Sequence, residues 1–242
     1  MEPDHRTALV TGGSRGIGAA IVRRLAEDGY QVAFTYLHSQ KAADQLESEF
    51  SGRVAALRAD AASVEEMSGL VDRVVEQFGG LDVLVNNAGV FSNVPMWDAT
   101  DAEFDRVVNI NIRAVFLASR AAARVMGDGG RIILIGSVNG DRIPFDGVAL
   151  YGMSKAAVAA LAKGWARDLG PRGITVNCIQ PGPIDTDLNP ADGDFAEALK
   201  PITALNRYGK VEEVASLVSF LAGPESGYIT GASLNIDGGF NA

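Results

Sequence analysis

The sequence predicts a doubly wound α/β fold, an open parallel sheet of about seven strands with helices on both faces. Three observations carry this expectation. Short apolar runs alternate with longer segments of helical period along the chain. The runs are rich in Val, Ile and Leu with little polar alternation, the pattern of strands buried on both faces. The first run opens directly into a glycine-rich turn followed by an amphipathic segment. With 242 residues, 47% of them hydrophobic, the chain can bury a sizeable core, and no linker, repeat or composition shift divides it. Residues 1–242 are therefore expected to form a single domain.

Taken in order, strands are expected at residues 7–11, 32–36, 54–57, 81–85, 131–135, 174–179 and 233–236. The intervening segments are long enough for the crossover helices that parallel neighbours require, and helical patterns stand out at 17–28, 64–78 and 149–169. Residues 188–205 hold Pro, Gly and Asp in a less regular pattern and are expected to form a mobile lid over the substrate.

Composition narrows the function. Twenty-one Lys and Arg against 30 Asp and Glu give a net charge of -9, which argues against nucleic acid and against anionic membrane surfaces as partners. Cys178 is the sole cysteine, so no intrachain disulfide can form. His5, His38 and Cys178 are far apart in sequence, and no metal site is expected. The first six residues lack the pattern of a secretory leader, and nowhere do about 18 apolar residues run together. A cytoplasmic protein is expected.

The first strand runs into Thr11-Gly12-Gly13-Ser14-Arg15-Gly16-Ile17-Gly18, with a helical pattern immediately after. In an open α/β sheet such a turn lets the backbone approach a pyrophosphate, while the helix amino terminus offers unpaired N–H groups and a favourable dipole. Gly12, Ser14, Arg15, Gly16, Ile17 and Gly18 are the candidates for this cradle. Taken alone, the glycines also fit a plain tight turn.

Further along stand Asn86-Asn87-Ala88-Gly89, Ser137 fourteen residues before Tyr151-x3-Lys155, and Pro181-Gly182 after a strand. Together with the glycine turn these motifs resemble the short-chain dehydrogenase/reductase family over essentially the whole chain. Within that family the chain is similar to 3-oxoacyl-carrier-protein reductases and related carbonyl reductases. Short stretches at 135–142, 180–187 and 189–191 resemble oxidoreductases described as cyclic-di-GMP-binding biofilm-dispersal mediators. The resemblance implies a Rossmann-like fold, a small-molecule carbonyl substrate, and a homo-oligomer, tetramer or dimer, with residues 228–240 in subunit contact.

The chemistry also follows from the residues. Tyr151 and Lys155 are i and i+4 on the expected helix, so their side chains share a face. A neighbouring ammonium favours a phenolate, which would bring Tyr151 down towards the range of a general acid at neutral pH. Ser137, at the end of the fifth strand, can donate a hydrogen bond to a substrate oxygen as negative charge develops there. The resemblance adds Asn111 as a fourth catalytic residue that positions the lysine through a bound water, and gives Lys155 a second role on the nicotinamide ribose. It also assigns Asn87, Ala88 and Gly89 to the adenosine side, Asp60 with Ala61 to the adenine, and Pro181, Gly182, Ile184 and Thr186 to the nicotinamide.

The second strand ends without the carboxylate that usually bonds a ribose 2′-hydroxyl. Arg15 can pair with a 2′-phosphate, with Tyr36 and His38 beside it, so NADPH or NADP+ is expected in preference to NAD(H). Phe91, Val94, Ile143, Phe145, Leu188 and Phe195 are candidates to line an apolar substrate pocket, and Cys178 is read as inert core. The expected function is reversible NADPH-dependent reduction of a ketone or 3-oxoacyl group to a secondary alcohol. The alternative is a regulatory protein of the same fold that binds NADPH or a cyclic dinucleotide.

Overall fold

Each apolar run singled out above is a strand, and helices carry the chain from one strand to the next. The computed structural model describes residues 6–242; the expectation drawn from the amino-terminal residues, and His5 with it, lies outside the described residues. β1 (Thr7–Val10) leads into α1 (Gly16–Glu27), β2 (Gln31–Tyr36) into α2 (Gln40–Ser48), and β3 (Val54–Arg58) into α3 (Val64–Phe78). After β4 (Val83–Asn86) come α4 (Asp101–Val108), a π-helical turn at Asn109–Arg113, and α5 (Ala114–Val125). β5 (Arg131–Ile135), α6 (Ala149–Leu169) and β6 (Thr175–Pro181) follow, then α7 (Asp194–Leu199), α8 (Val211–Ala222) and β7 (Ser233–Ile236).

The seven strands form one sheet in the order β3-β2-β1-β4-β5-β6-β7, every pairing parallel. The chain therefore starts mid-sheet, winds out to β3, and returns to build the other half from β4. That reversal leaves a crevice beyond the carboxyl ends of β1 and β4, where no crossover covers the sheet. Successive strand residues alternate between two cores. Val10, Phe34, Val85 and Ile133 pack under α1 and α8 with Ile21, Leu25 and Val218. Leu9, Leu84, Ile132 and Leu134 pack under α3, α5 and α6 with Leu70, Ala118 and Val158. Burying each of the Val, Leu, Ile and Phe side chains among these contributes about 1.5–3 kcal/mol. β7, at the sheet edge, alternates exposed with half-buried residues.

Local chemistry sets the helix ends. The Ser63 hydroxyl accepts from Glu66 N at 3.2 Å to start α3, and Gly79, at φ +83°, ends it in the left-handed region. The Thr100 hydroxyl does the same for α4 through Glu103 N. Strand and helix bounds differ from the sequence expectation by no more than two residues wherever both exist. The segment 188–205 is more regular than expected, since α7 and a 3-10 turn at Lys200–Ile202 lie within it. Among the described residues no helix is long and apolar enough to cross a membrane.

Candidate active site

The crevice is built first from backbone. Thr11 N donates to Val85 O at 3.0 Å, and the Thr11 hydroxyl accepts from both Asn87 N and Ala88 N at 3.0 Å. The Asn87 amide donates to Thr11 O at 3.0 Å and to Gly12 O at 2.9 Å, so the loop after β4 is stapled to the turn after β1. Gly12 sits at φ +66°, and a Cβ on Gly18 would stand 2.2 Å from Gly12 O. These two glycines are thus required by the turn's own packing. What packing does not explain is the start of α1. Its N-cap, Arg15, makes no side-chain cap, and no acid lies in its first turn. Its leading N–H groups and positive dipole end therefore have no partner from a side chain, in contrast to α3 and α4.

A cleft of about 470 Å³ opens in front of this helix terminus, and every cofactor residue expected from the sequence lines it. A larger groove of about 570 Å³ lies across the turn between α1 and α8, but it holds none of the four catalytic candidates. The chemistry belongs to the smaller cleft. Among the described residues no three His, Cys, Asp or Glu side chains gather to hold a metal ion.

Ser137, Tyr151 and Lys155 meet on the cleft wall formed by β5 and α6. The Lys155 ammonium is buried, donates to Ile135 O at 2.8 Å, and stands 5.7 Å from the centre of the Tyr151 ring. Ser137 is also buried; its hydroxyl accepts from Asn139 N at 3.1 Å and donates to Asn139 Oδ1 at 3.3 Å. Asn139 is a neighbour that the sequence reading missed; the signal that could have found it is local, a serine two residues before an asparagine capping the 3-10 turn Val138–Gly140.

Asn111 does not line the cleft. It lies behind it in the π-helical turn, where its amide donates to Val90 O at 2.9 Å and to the Ser154 hydroxyl at 2.9 Å, while its Oδ1 accepts from Val90 N at 2.8 Å. A Cβ on Gly89 would come within 3.4 Å of Asn111 Oδ1 and 3.5 Å of Lys155 Nζ. Gly89 therefore leaves open a space that both groups face.

One electrostatic expectation is reversed. Burial raises the Tyr151 phenol above its usual value, and the Ser137 hydroxyl offsets only part of that. The lysine does not supply the expected downward pull, because its nitrogen is turned to the Ile135 carbonyl and its own charge is penalised. Burial lowers Lys155 from 10.5 to about 8. Cys178, pushed up to about 11 by burial in β6, is a neutral thiol.

The remaining candidates divide. The Asp60 carboxylate accepts from Ala62 N at 2.8 Å, an Asx-type turn. The Tyr36 hydroxyl donates to Gln40 Oε1, and His38 is exposed. Arg15 is exposed, with its guanidinium 3.9 Å from the Asp187 carboxylate. Phe91 and Leu188 line the cleft, Phe91 edge-on to Tyr151 at 5.0 Å between ring centres. Val94, Ile143, Phe145 and Phe195 lie outside the cleft lining, with Phe145 and Phe195 packed on each other at 6.3 Å.

Residues 12–241 match the family model described as enoyl-(acyl carrier protein) reductase. The cyclic-di-GMP-binding biofilm dispersal mediator protein of Escherichia coli (strain K12) is 51% identical over 239 residues, covering 98% of each chain. A short-chain dehydrogenase/reductase from Serratia marcescens has a solved structure that superposes with a TM-score of 0.96, at 53% identity and full coverage of both chains. A short chain dehydrogenase from Burkholderia cenocepacia, solved in complex with NADP, gives a TM-score of 0.96 at 51% identity, covering 99% of this chain and 98% of that one.

Proposed function

The chain belongs to the short-chain dehydrogenase/reductase family of oxidoreductases, and from that premise we propose that it is an NADPH-dependent carbonyl reductase acting on a ketone or 3-oxoacyl group. One observation carries the reading: Ser137, Tyr151 and Lys155 converge on the wall of a single cleft that also receives the uncapped start of α1. The Burkholderia relative's complex with NADP supports the choice of cofactor.

The residues present fit NADPH. The bare N–H groups of α1 suit a pyrophosphate, Arg15 suits a 2′-phosphate, and the segment from Pro181 to Thr186 stands beside Tyr151 and Lys155 for the nicotinamide end. When bound, the reduced nicotinamide supplies the hydride equivalent that carbonyl reduction needs.

The chain's own groups do the rest. Tyr151, held neutral by burial, gives its proton to the carbonyl oxygen. The Ser137 hydroxyl turns from Asn139 to polarise the same oxygen and stabilises its developing charge. Lys155 returns a proton towards Tyr151 from the space it shares with Asn111 over Gly89. Phe91, packed edge-on against Tyr151, offers an apolar surface to the substituents of the ketone. The segment 188–205 closes over the substrate. The protein is cytoplasmic and a homo-oligomer, tetramer or dimer; Tyr228, fully exposed near the edge strand β7, supports subunit contact there.

The test is consumption of NADPH and NADH by the purified protein across ketones and 3-oxoacyl thioesters, followed over pH. Lys155 is charged below about 8 and neutral above it, so kcat/KM for reduction is expected to fall on the alkaline side of about pH 8. A profile flat up to 10.5, the ordinary lysine value, would remove Lys155 from the relay. The regulatory reading draws on the printed name of the Escherichia coli relative. It gains if NADPH binds and no carbonyl turns over.

A further inference from the structure

The cofactor cleft and the groove between α1 and α8 share a wall of five residues, Ser14, Arg15, Gly16, Thr186 and Asp187. Across that wall the Asp187 carboxylate stands 3.9 Å from the Arg15 guanidinium, with 63% and 53% of the two side chains exposed. We propose that Asp187 competes with the 2′-phosphate of the cofactor for Arg15, and so sets how strongly the protein prefers NADPH over NADH. The inference rests on the NADPH reading above and adds the residue that opposes it.

Asp187 is held in place by its own loop. Thr186 N donates to Asn189 O at 3.3 Å and Asn189 N to Thr186 O at 3.0 Å, which closes a tight turn with Asp187 at its tip. The Asn189 amide donates back to Ile184 O at 3.3 Å, and the Tyr208 hydroxyl donates to Asn189 Oδ1 at 3.3 Å. The neighbouring acid is engaged elsewhere, since Asp185 Oδ1 accepts from Ala191 N at 2.9 Å. The turn thus presents one carboxylate to the glycine loop.

Arg15 has the opposite character. It belongs to the start of α1, where its backbone is extended, and its long side chain lines the cleft half exposed to solvent. Arg23 and Arg24, a little over two turns further along the same helix, are engaged with Glu49 and Asp28. Arg15 is therefore the cation of α1 available to an incoming phosphate.

An exposed ion pair is weak, and a phosphate offers stronger, bidentate geometry, so the phosphate wins the guanidinium. Asp187 then keeps its charge near the cofactor without a partner. NADPH meets both effects, loss of the Arg15–Asp187 pair and repulsion by the freed carboxylate. NADH lacks the 2′-phosphate and meets only a residual repulsion from its pyrophosphate. Removing the carboxylate while keeping its shape should therefore help NADPH more than NADH.

Calorimetric titration of NADPH and NADH into the full chain tests this without any turnover. Asp187→Asn is expected to tighten NADPH about three- to tenfold and NADH about twofold or less, which raises the preference ratio. In an Arg15→Ala background the same substitution is expected to raise the ratio by less than half as much, the remainder being repulsion of the 2′-phosphate alone. The proposal is overturned if Asp187→Asn moves both cofactors equally, or if the ratio rises as far without Arg15 as with it. If wild-type and Asp187→Asn proteins alike bind NADH but never NADPH, the cofactor reading itself fails, and the competition falls with it.

Discussion

Tyr151→Phe is expected to lower kcat/KM for NADPH-dependent ketone reduction by about two to four orders of magnitude, the usual contribution of a positioned general acid. The substitution removes one oxygen and little else. The ring keeps its edge-on contact with Phe91 at 5.0 Å and its place beside the Lys155 ammonium. Cofactor affinity should accordingly stay within about threefold, which assigns the loss to the transition state and not to binding. Ser137 remains to polarise the carbonyl, so a small residual rate is expected in place of complete loss. Steady-state kinetics beside a cofactor titration separate the two quantities. A variant that keeps more than about a tenth of wild-type activity would deny Tyr151 its role as the acid.

The second large effect falls on the glycine turn. A Cβ at residue 18 would stand 2.2 Å from Gly12 O and 2.6 Å from the Asn87 amide nitrogen, the atom that bonds Thr11 O and Gly12 O. Gly18→Ala must therefore push the turn away from the loop after β4, and with it the start of α1. Overpacking at about 1–3 kcal/mol, added to strained hydrogen bonds at about 1 kcal/mol each, implies a fall in Tm of roughly 4–15 °C. NADPH affinity should fall by more than about tenfold, because the same turn positions the bare N–H groups. Gly164→Ala is the control. It lies in α6 with nothing within 4 Å of its Cβ position, so the higher helix propensity of alanine should stabilise by up to about 1 kcal/mol. Thermal melts of the two variants should move in opposite directions.

The sheet was legible because its physics is written in short stretches. Leu84 and Val85, or Ile133 and Leu134, are both apolar because one faces each core, and that non-alternating signature marks a strand covered on two sides. The long amphipathic helices α3 and α6 coincide with their sequence patterns to the residue. The short α7 was hidden, since six residues with Gly193 before them carry too little pattern against a background of Pro and Asp. The π-helical turn at Asn109–Arg113 was equally hidden, because it depends on a shift in backbone pairing that no side-chain spacing announces.

The site shows the same division. The i, i+4 spacing of Tyr151 and Lys155 and the position of Ser137 after β5 are local facts, and they brought the three residues to one wall. The sign of the tyrosine shift was not local. It depends on burial and on where the lysine nitrogen points, and the Ile135 carbonyl that captures it comes from a strand twenty residues away in sequence. The engagement of Ser137 with Asn139 is by contrast local, a cap two residues long at the start of the 3-10 turn Val138–Gly140. The substrate half was least legible: of six apolar candidates, Phe91 and Leu188 reach the cleft lining, because loop conformation decides which side chains face it.

The central claim is that this cleft moves hydride equivalents from a nicotinamide to a carbonyl carbon. The most direct measurement is mass spectrometry of the alcohol formed when the protein is given a ketone and NADPH deuterated at C4 in one of its two stereochemical positions. One deuterium is expected at the carbinol carbon from one of the two labelled forms and none from the other, with its rate of appearance lowered by about two to four orders of magnitude in Tyr151→Phe. Tight NADPH binding with no deuterated alcohol from any ketone or 3-oxoacyl thioester would contradict it.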